Sequence, residues 1–247
     1  MRIKNHIPNF ITLLNLFCGC LAIVAAFKTD LIIASFLVFA GAIFDYLDGT
    51  AARLLKAKSE IGKELDSLAD VVTFGVVPSI IAFQLLNIYS KDYPFFHNNN
   101  FLLFFPFLIA LFSAIRLAKF NIDDRQTISF LGLPTPANAI FWASVPIIIY
   151  FQNSTSFESL DFFNVFLANV FKNPYFILSF SLIMSVLLVI ELPLFSLKFI
   201  DFKWKNNKIR FVFLASCLLL LLLLSINALP LIIMIYIVFS IIHNYFL

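Results

Sequence analysis

Four aspartates, Asp45, Asp48, Asp66 and Asp70, stand where one hydrophobic run meets its polar flank and the next begins. At about 100° per residue, Asp45, Asp48, Gly49 and Ala52 fall on one helix face with Arg53 at its margin. Gly62, Asp66, Asp70 and Thr73 share a face of a following helix. Two helices meeting at a short turn therefore point all four carboxylates at one spot. An ionisable group at the edge of a bilayer costs a few kcal/mol, so a cluster of four calls for a compensating cation. The donors are all oxygen, with no sulfur or imidazole among them, which suits Mg²⁺ or Mn²⁺. Gly49, Ala52 and Gly62 leave the adjoining faces bare for a bulky anion, and Arg53 offers a planar, permanently charged fork to phosphate. The chemistry these residues describe is the handling of a pyrophosphate.

The elements that must position them are membrane helices. The 247-residue chain is 62% hydrophobic and 13% charged, with mean hydropathy +0.98, which excludes a soluble domain. Eight apolar stretches, at about 9–27, 32–51, 66–90, 101–118, 135–151, 174–195, 209–226 and 229–246, approach the 17–25 residues a bilayer requires. The expected fold is an all-α integral membrane protein of one domain (1–247), with a six-helix catalytic core (8–195) and two further C-terminal spans (196–247). With a cytoplasmic amino terminus, alternate loops place all but Lys28, Lys91 and Lys172 of the 17 Lys and Arg inside, as the positive-inside rule demands. The acidic cleft then faces the cytoplasm. The expected location is a bacterial cytoplasmic membrane, and no removable signal peptide is read at the start.

Other residue types add little chemistry. Cys18 and Cys20 face apart on one helix and Cys217 lies in a distant one, so neither a disulfide nor a zinc site follows. His6, His97 and His243 are scattered. Asn153-Ser154-Thr155 fits a common glycosylation pattern to which no weight is given. The Lys198–Arg210 cluster suits anionic headgroups. No nucleic-acid partner is expected.

The pattern D-x-x-D-G-x-x-A-R-x8-G-x3-D-x3-D, read from Asp45 to Asp70 without a departure, resembles the signature of the CDP-alcohol phosphotransferases. Three further stretches narrow the likeness: Pro8 to Gly19, Lys56 to Pro78, and Arg116 to Asn121 with Gly132 to Ala137. Together they resemble the membrane-embedded phosphatidylserine synthases over about residues 8–140. Beyond that the likeness is mainly hydropathy, and Glu191-Leu192-Pro193 receives no role.

The resemblance implies CDP-diacylglycerol and L-serine as substrates, phosphatidylserine and CMP as products, and two divalent ions that neutralise the pyrophosphate. It makes Asp45, Asp48, Asp66 and Asp70 metal ligands, with Asp70 also the general base. Pro8, Asn9, Thr12, Gly49, Ala52, Arg53, Ser59 and Gly62 would hold the CDP-lipid. The serine would meet Asn15, Arg116 and Asn121, with Lys119 and Arg125 as alternative cations for its carboxylate. A homodimer is expected by the same likeness. Two alternatives stay open: the same chemistry on glycerol 3-phosphate or inositol, and a divalent-cation transporter, which would leave Gly49, Ala52, Arg53 and Gly62 unexplained.

Overall fold

The computed structural model describes residues 6–57, 59–122, 130–152, 158–195 and 204–246, and these are helical almost throughout. The Asn153–Thr155 pattern, Arg125 and residues 198–203 of the basic cluster lie outside them.

Helices α1 (His6–Phe27) and α2 (Leu31–Leu54) form a hairpin. Thr29, at φ 60°, makes the turn, and Asp30 caps α2 by accepting from Ile33 N at 3.3 Å. Helix α1 buries Thr12, Asn15, Gly19, Ala22 and Ala26, a spacing of three and four that makes one stripe. Helix α2 buries Ala34, Ser35, Val38 and Gly41. Small side chains are what membrane helices use to approach closely, because lipid offers them no hydrophobic drive to associate.

After α2 the chain turns through Lys56, at φ 53°, and Ser59 starts α3 (Glu60–Asp70) by accepting from Gly62 N at 3.0 Å. Helix α3 continues through a π-helical turn, Val71–Val76, into α4 (Val77–Tyr89). This turn fits closely against the hairpin. A Cβ on Gly19 would stand 2.5 Å from Thr73 Oγ1, and one on Gly41 would stand 2.6 Å from Thr73 Cγ2. Thr73 Oγ1 donates to Asn15 O at 3.1 Å, so the turn is pinned to α1 by a hydrogen bond as well as by contact.

The short α5 (Pro94–Asn98) and a 3₁₀ stretch, Asn100–Phe107, lead into α6 (Leu108–Ile122). Helix α7 (Thr135–Phe151) is buried on nearly every side, packed against α2, α4, α8 and α11. Between α6 and α7, β1 (Phe130–Leu131) pairs antiparallel with β2 (Pro193–Leu194), which follows α9 (Pro174–Val189). Gly132 makes this clasp possible. Its φ is +76°, and a Cβ there would lie 2.7 Å from Leu188 O and 2.9 Å from Ile190 O. Gly132 N donates to Leu192 O and Leu133 N to Leu187 O, at 2.9 and 2.7 Å, so the strand satisfies carbonyls that the end of α9 leaves open. Glu191-Leu192-Pro193 thus gains a structural place.

One expectation is corrected. The segment 152–173, read as a polar connection, contains α8 (Glu158–Lys172), which buries Asn164, Leu167, Ala168 and Phe171 along one helical stripe; its polar letters masked a 3.6-residue period. The count of eight spans does not map simply onto long helices. By length and composition five stretches can cross a membrane, or six if α8 and α9, bent by 78° at Asn173, make one span. Eight apolar helices do lie where spans were expected, but α7 has only 17 residues. One long stretch, Asn207–His243, is two helices, α10 (Trp204–Leu224) and α11 (Ala228–Phe246). The ring of Phe213 lies 5.7 Å from that of Tyr236, which a straight helix would put about 35 Å away. The chain therefore doubles back at Ser225, whose φ is 51°.

Gly132→Ala forces a side chain into the left-handed region against two carbonyls, a strain of about 1–3 kcal/mol before the overlap is counted. A lower apparent Tm of the purified protein in detergent is the expected result.

Candidate active site

The site forms where α1, α2 and α3 meet. One oxygen from each of Asp45, Asp48 and Asp66 can be chosen so that all three lie within 4.8 Å of one another. Asp48 is buried and the other two are half-buried. Thr12 Oγ1 donates to Asp48 Oδ2 at 2.7 Å, which fixes that carboxylate from α1; the distance is ordinary for a hydroxyl donor. Asp70, one turn beyond Asp66, stands outside this triad. It is buried and accepts from Asn15 Nδ2 at 3.3 Å. Three of the four aspartates therefore bring oxygens within 4.8 Å of one another, and the fourth is hydrogen-bonded by α1.

Beside the triad is a cleft of about 530 Å³. Of the residues expected to hold the CDP-lipid, all but Arg53 line it: Pro8, Asn9 and Thr12 from α1, Gly49 and Ala52 from α2, and Ser59 and Gly62 at the start of α3. Nothing lies within 4 Å of where a Gly49 Cβ would be, so that face is open. Arg53 turns along its own helix and donates to Thr50 Oγ1 at 3.2 Å. Ser59 has a structural duty as the cap of α3, with its Oγ held at Gly62 N.

The structure adds Glu60 and Lys63 to the cleft wall. Lys63 is three residues before Asp66 and shares its helix face, a spacing that could have drawn notice in the sequence. Its Nζ donates to Asn121 O at 2.7 Å, while Asn121 Nδ2 donates to Ser67 Oγ at 2.9 Å. Asn121, expected at the serine, is thus engaged in tying α6 to α3. Arg116 is likewise committed. It is buried, its Nη1 donates to Leu131 O at 2.6 Å, and its ionisable neighbour is Tyr236 of α11, not a carboxylate of the cluster. Of the three residues expected around the serine, only Asn15 is brought to an aspartate.

The donor set fits a divalent cation. No lysine or arginine among the described residues pairs with Asp45, Asp48 or Asp66, and Asp66 Oδ1 is buried with no hydrogen-bond partner. Two ionised carboxylates with oxygens no more than 4.8 Å apart repel by at least about 3 kcal/mol at an effective dielectric of about 20. Three carboxylate oxygens are donors of the hard type that binds hard divalent cations.

Fold and site together define a polytopic, all-helical membrane protein with an acidic cleft whose aspartate triad could bind a metal. The chain belongs to the CDP-alcohol phosphatidyltransferase family, whose model matches residues 5–243. Among its relatives is a CDP-diacylglycerol–serine O-phosphatidyltransferase of Helicobacter pylori (strain ATCC 700392 / 26695), 32% identical over 242 residues that cover 97% of this chain and 91% of that one. A protein of the same name from Bacillus subtilis (strain 168) is 40% identical over 136 residues, 53% of this chain and 70% of the relative. Another, from Methanocaldococcus jannaschii, is 38% identical over 135 residues, 54% of this chain and 57% of its own length.

A ligand that binds only the folded state at a hundred times its Kd adds about 2.7 kcal/mol of stability. Mn²⁺ should therefore raise the apparent Tm of the wild type, and Asp48→Asn or Asp66→Asn should abolish most of that rise. An undiminished rise in both variants would place the ion elsewhere.

Proposed function

We propose that this protein transfers the phosphatidyl group of CDP-diacylglycerol to L-serine, releasing CMP. The observation that carries the reading is the match along almost the whole chain to a relative named for that reaction, joined to a cleft whose walls are the expected ones. The cleft lies beside the metal-type triad, the arrangement a pyrophosphate requires, and Gly49 leaves one wall open to a bulky anion.

In this reading Pro8, Asn9 and Thr12 close one side of the cleft over the nucleotide, and Gly49, Ala52, Ser59 and Gly62 form the opposite wall. Lys63 adds a cation at that wall, and Arg53 reaches the phosphates only by leaving Thr50. Asp45, Asp48 and Asp66 would hold one or two ions, Mg²⁺ or Mn²⁺, whose contribution when bound is to neutralise the pyrophosphate and the departing CMP. Asp70 accepts the proton of the serine hydroxyl. The hydroxyl oxygen bonds to the phosphorus that carries the diacylglycerol, and the bond from that phosphorus to the CMP oxygen breaks in line. Asn15 orients Asp70 by donating to Oδ1, leaving its other oxygen for the proton.

The catalytic core is taken as residues 8–195, with α10 and α11 as an addition. The distribution of Lys and Arg supports a cytoplasmic amino terminus and a cleft on the same side, in a bacterial cytoplasmic membrane. The family likeness supports a homodimer.

The test is CMP release by the purified protein in CDP-diacylglycerol micelles with Mn²⁺, offering L-serine, glycerol 3-phosphate, inositol or no acceptor. Release that needs both serine and metal is expected. Release with another alcohol would overturn the acceptor, and none under any condition would overturn the reaction. Asp70→Asn should lower turnover by about 10²–10⁴-fold while Mn²⁺ still raises the Tm.

A further inference from the structure

A second cavity, of about 440 Å³, opens at the other end of the bundle. Leu31, in its wall, and Asp48 of the triad are both on α2, about 26 Å apart along the helix axis. Helix α2 is long and apolar enough to cross a membrane, so this cavity and the acidic cleft sit at opposite faces. Lys28 and Asp30 line it from the turn between α1 and α2, Tyr89 from the end of α4 and Tyr150 from the end of α7. Below them the wall is apolar, with Leu31, Leu85, Ile88 and Ile149. Ile88 and Tyr150 are exposed, so the wall continues onto the surface that faces lipid.

Lys28 and Asp30 line this one cavity without pairing. Among the described residues Lys28 Nζ has no hydrogen-bond or ion partner, and Asp30 gives one oxygen to Ile33 N as the cap of α2. The turn that carries them is held firmly. Thr29 N donates to Ala26 O and Asp30 N to Ala25 O, both at 3.0 Å, and Gln84 Nε2 of α4 donates to Ala26 O at 3.2 Å. In the topology read from the charges, the three cations at this face are Lys28, Lys91 and Lys172. Lys172 Nζ donates to Gln152 Oε1 at 2.9 Å, whereas Lys28 lines the cavity. A cation and a carboxylate that stay apart in one cavity complement a zwitterion. An anion alone would meet Asp30, and a cation alone would meet Lys28.

We propose that this cavity binds a phospholipid of the bilayer whose headgroup joins a phosphodiester to an ammonium, as a phosphoethanolamine headgroup does. The proposal does not depend on the reaction assigned to the acidic cleft. The phosphodiester takes its hydrogen bonds from Lys28 Nζ and the tyrosine hydroxyls, and the ammonium donates to the Asp30 oxygen that the cap leaves over. The acyl chains lie along Ile88 and Ile149, where apolar surface is covered by apolar surface. Tyrosines suit this level of a bilayer, with the ring in the apolar layer and the hydroxyl among the headgroups, and the Lys28 stem can pack on the wall while its ammonium stays at the phosphate. A phospholipid that is only anionic leaves its phosphate facing Asp30 with nothing to offset the repulsion.

Native mass spectrometry of the full chain in detergent, with equal amounts of phosphatidylethanolamine and phosphatidylglycerol of identical acyl chains, tests this. The wild type should retain phosphatidylethanolamine about three- to tenfold more, the worth of one charge-assisted contact near the surface. Asp30→Asn removes the charge and keeps the cap, because Asn caps a helix as well as Asp does. Its apparent Tm without lipid should hold, while retention of phosphatidylethanolamine falls and that of phosphatidylglycerol rises until the two are about equal. Lys28→Gln should weaken the retention of both lipids. A wild type that holds the two lipids equally would overturn the proposal, since the cavity would then meet lipid as any apolar surface does. A preference that survives Asp30→Asn and Lys28→Gln would place the lipid elsewhere on the protein and overturn it too.

Discussion

The mutual repulsion of three carboxylates is the constraint on which the rest of the molecule depends. Asp45, Asp48 and Asp66 come within 4.8 Å of one another on helices that elsewhere are apolar enough to cross a membrane. Packing alone would not select that arrangement, since each pair opposes it by a few kcal/mol. It persists because rigid elements on every side determine it. Thr12 of α1 holds Asp48, the capped start of α3 sets where Asp66 emerges, and the Lys63–Asn121 bond fastens α3 to α6. An acidic site held open in this way is preorganised, so a metal ion that binds there would need little rearrangement of the carboxylates.

The second determinant is closeness of approach. Thr73 sits where a side chain on either Gly19 or Gly41 would collide with it, so the α1–α2 hairpin and the α3–α4 run interlock at the π turn. Such turns leave backbone groups out of the regular ladder and recur at functional sites. Here the turn separates a polar upper layer of carboxylates from an apolar lower core that includes Phe74, Val77 and Ile81. The clasp of β1 and β2 acts from the opposite side, where Arg116, Leu131, Phe195 and Tyr236 join α6, the strands and α11 through two hydrogen bonds to backbone.

What could be read from the sequence was what depends on short-range spacing. The interval from Asp45 to Asp48 and from Gly62 to Asp66 is a helical period, so shared faces followed, and with them most of the cleft wall. Apolar runs located the helices to within a few residues. What could not be read depends on which way a long side chain turns or on packing at a distance. Arg116 has the charge a carboxylate ligand needs, yet it finds a carbonyl fifteen residues on; nothing local to Arg116 announces that partner. Arg53 bonds along its own helix for the same reason. Helix α8 was hidden because its polar residues outnumber the stripe it buries, and the bend at Asn173 depends on a cap and on Pro174.

In the proposed reaction the three converging carboxylates serve as a metal site for a CDP-linked lipid. Anomalous diffraction from crystals grown with Mn²⁺ and CDP-diacylglycerol tests it most directly. The expected result is a Mn²⁺ peak bounded by the carboxylate oxygens of Asp45, Asp48 and Asp66, with the pyrophosphate of the lipid against it in the cleft beside Gly49. A well-ordered lipid whose pyrophosphate lies away from those carboxylates, or a triad that stays free of metal while the lipid is bound, would contradict it.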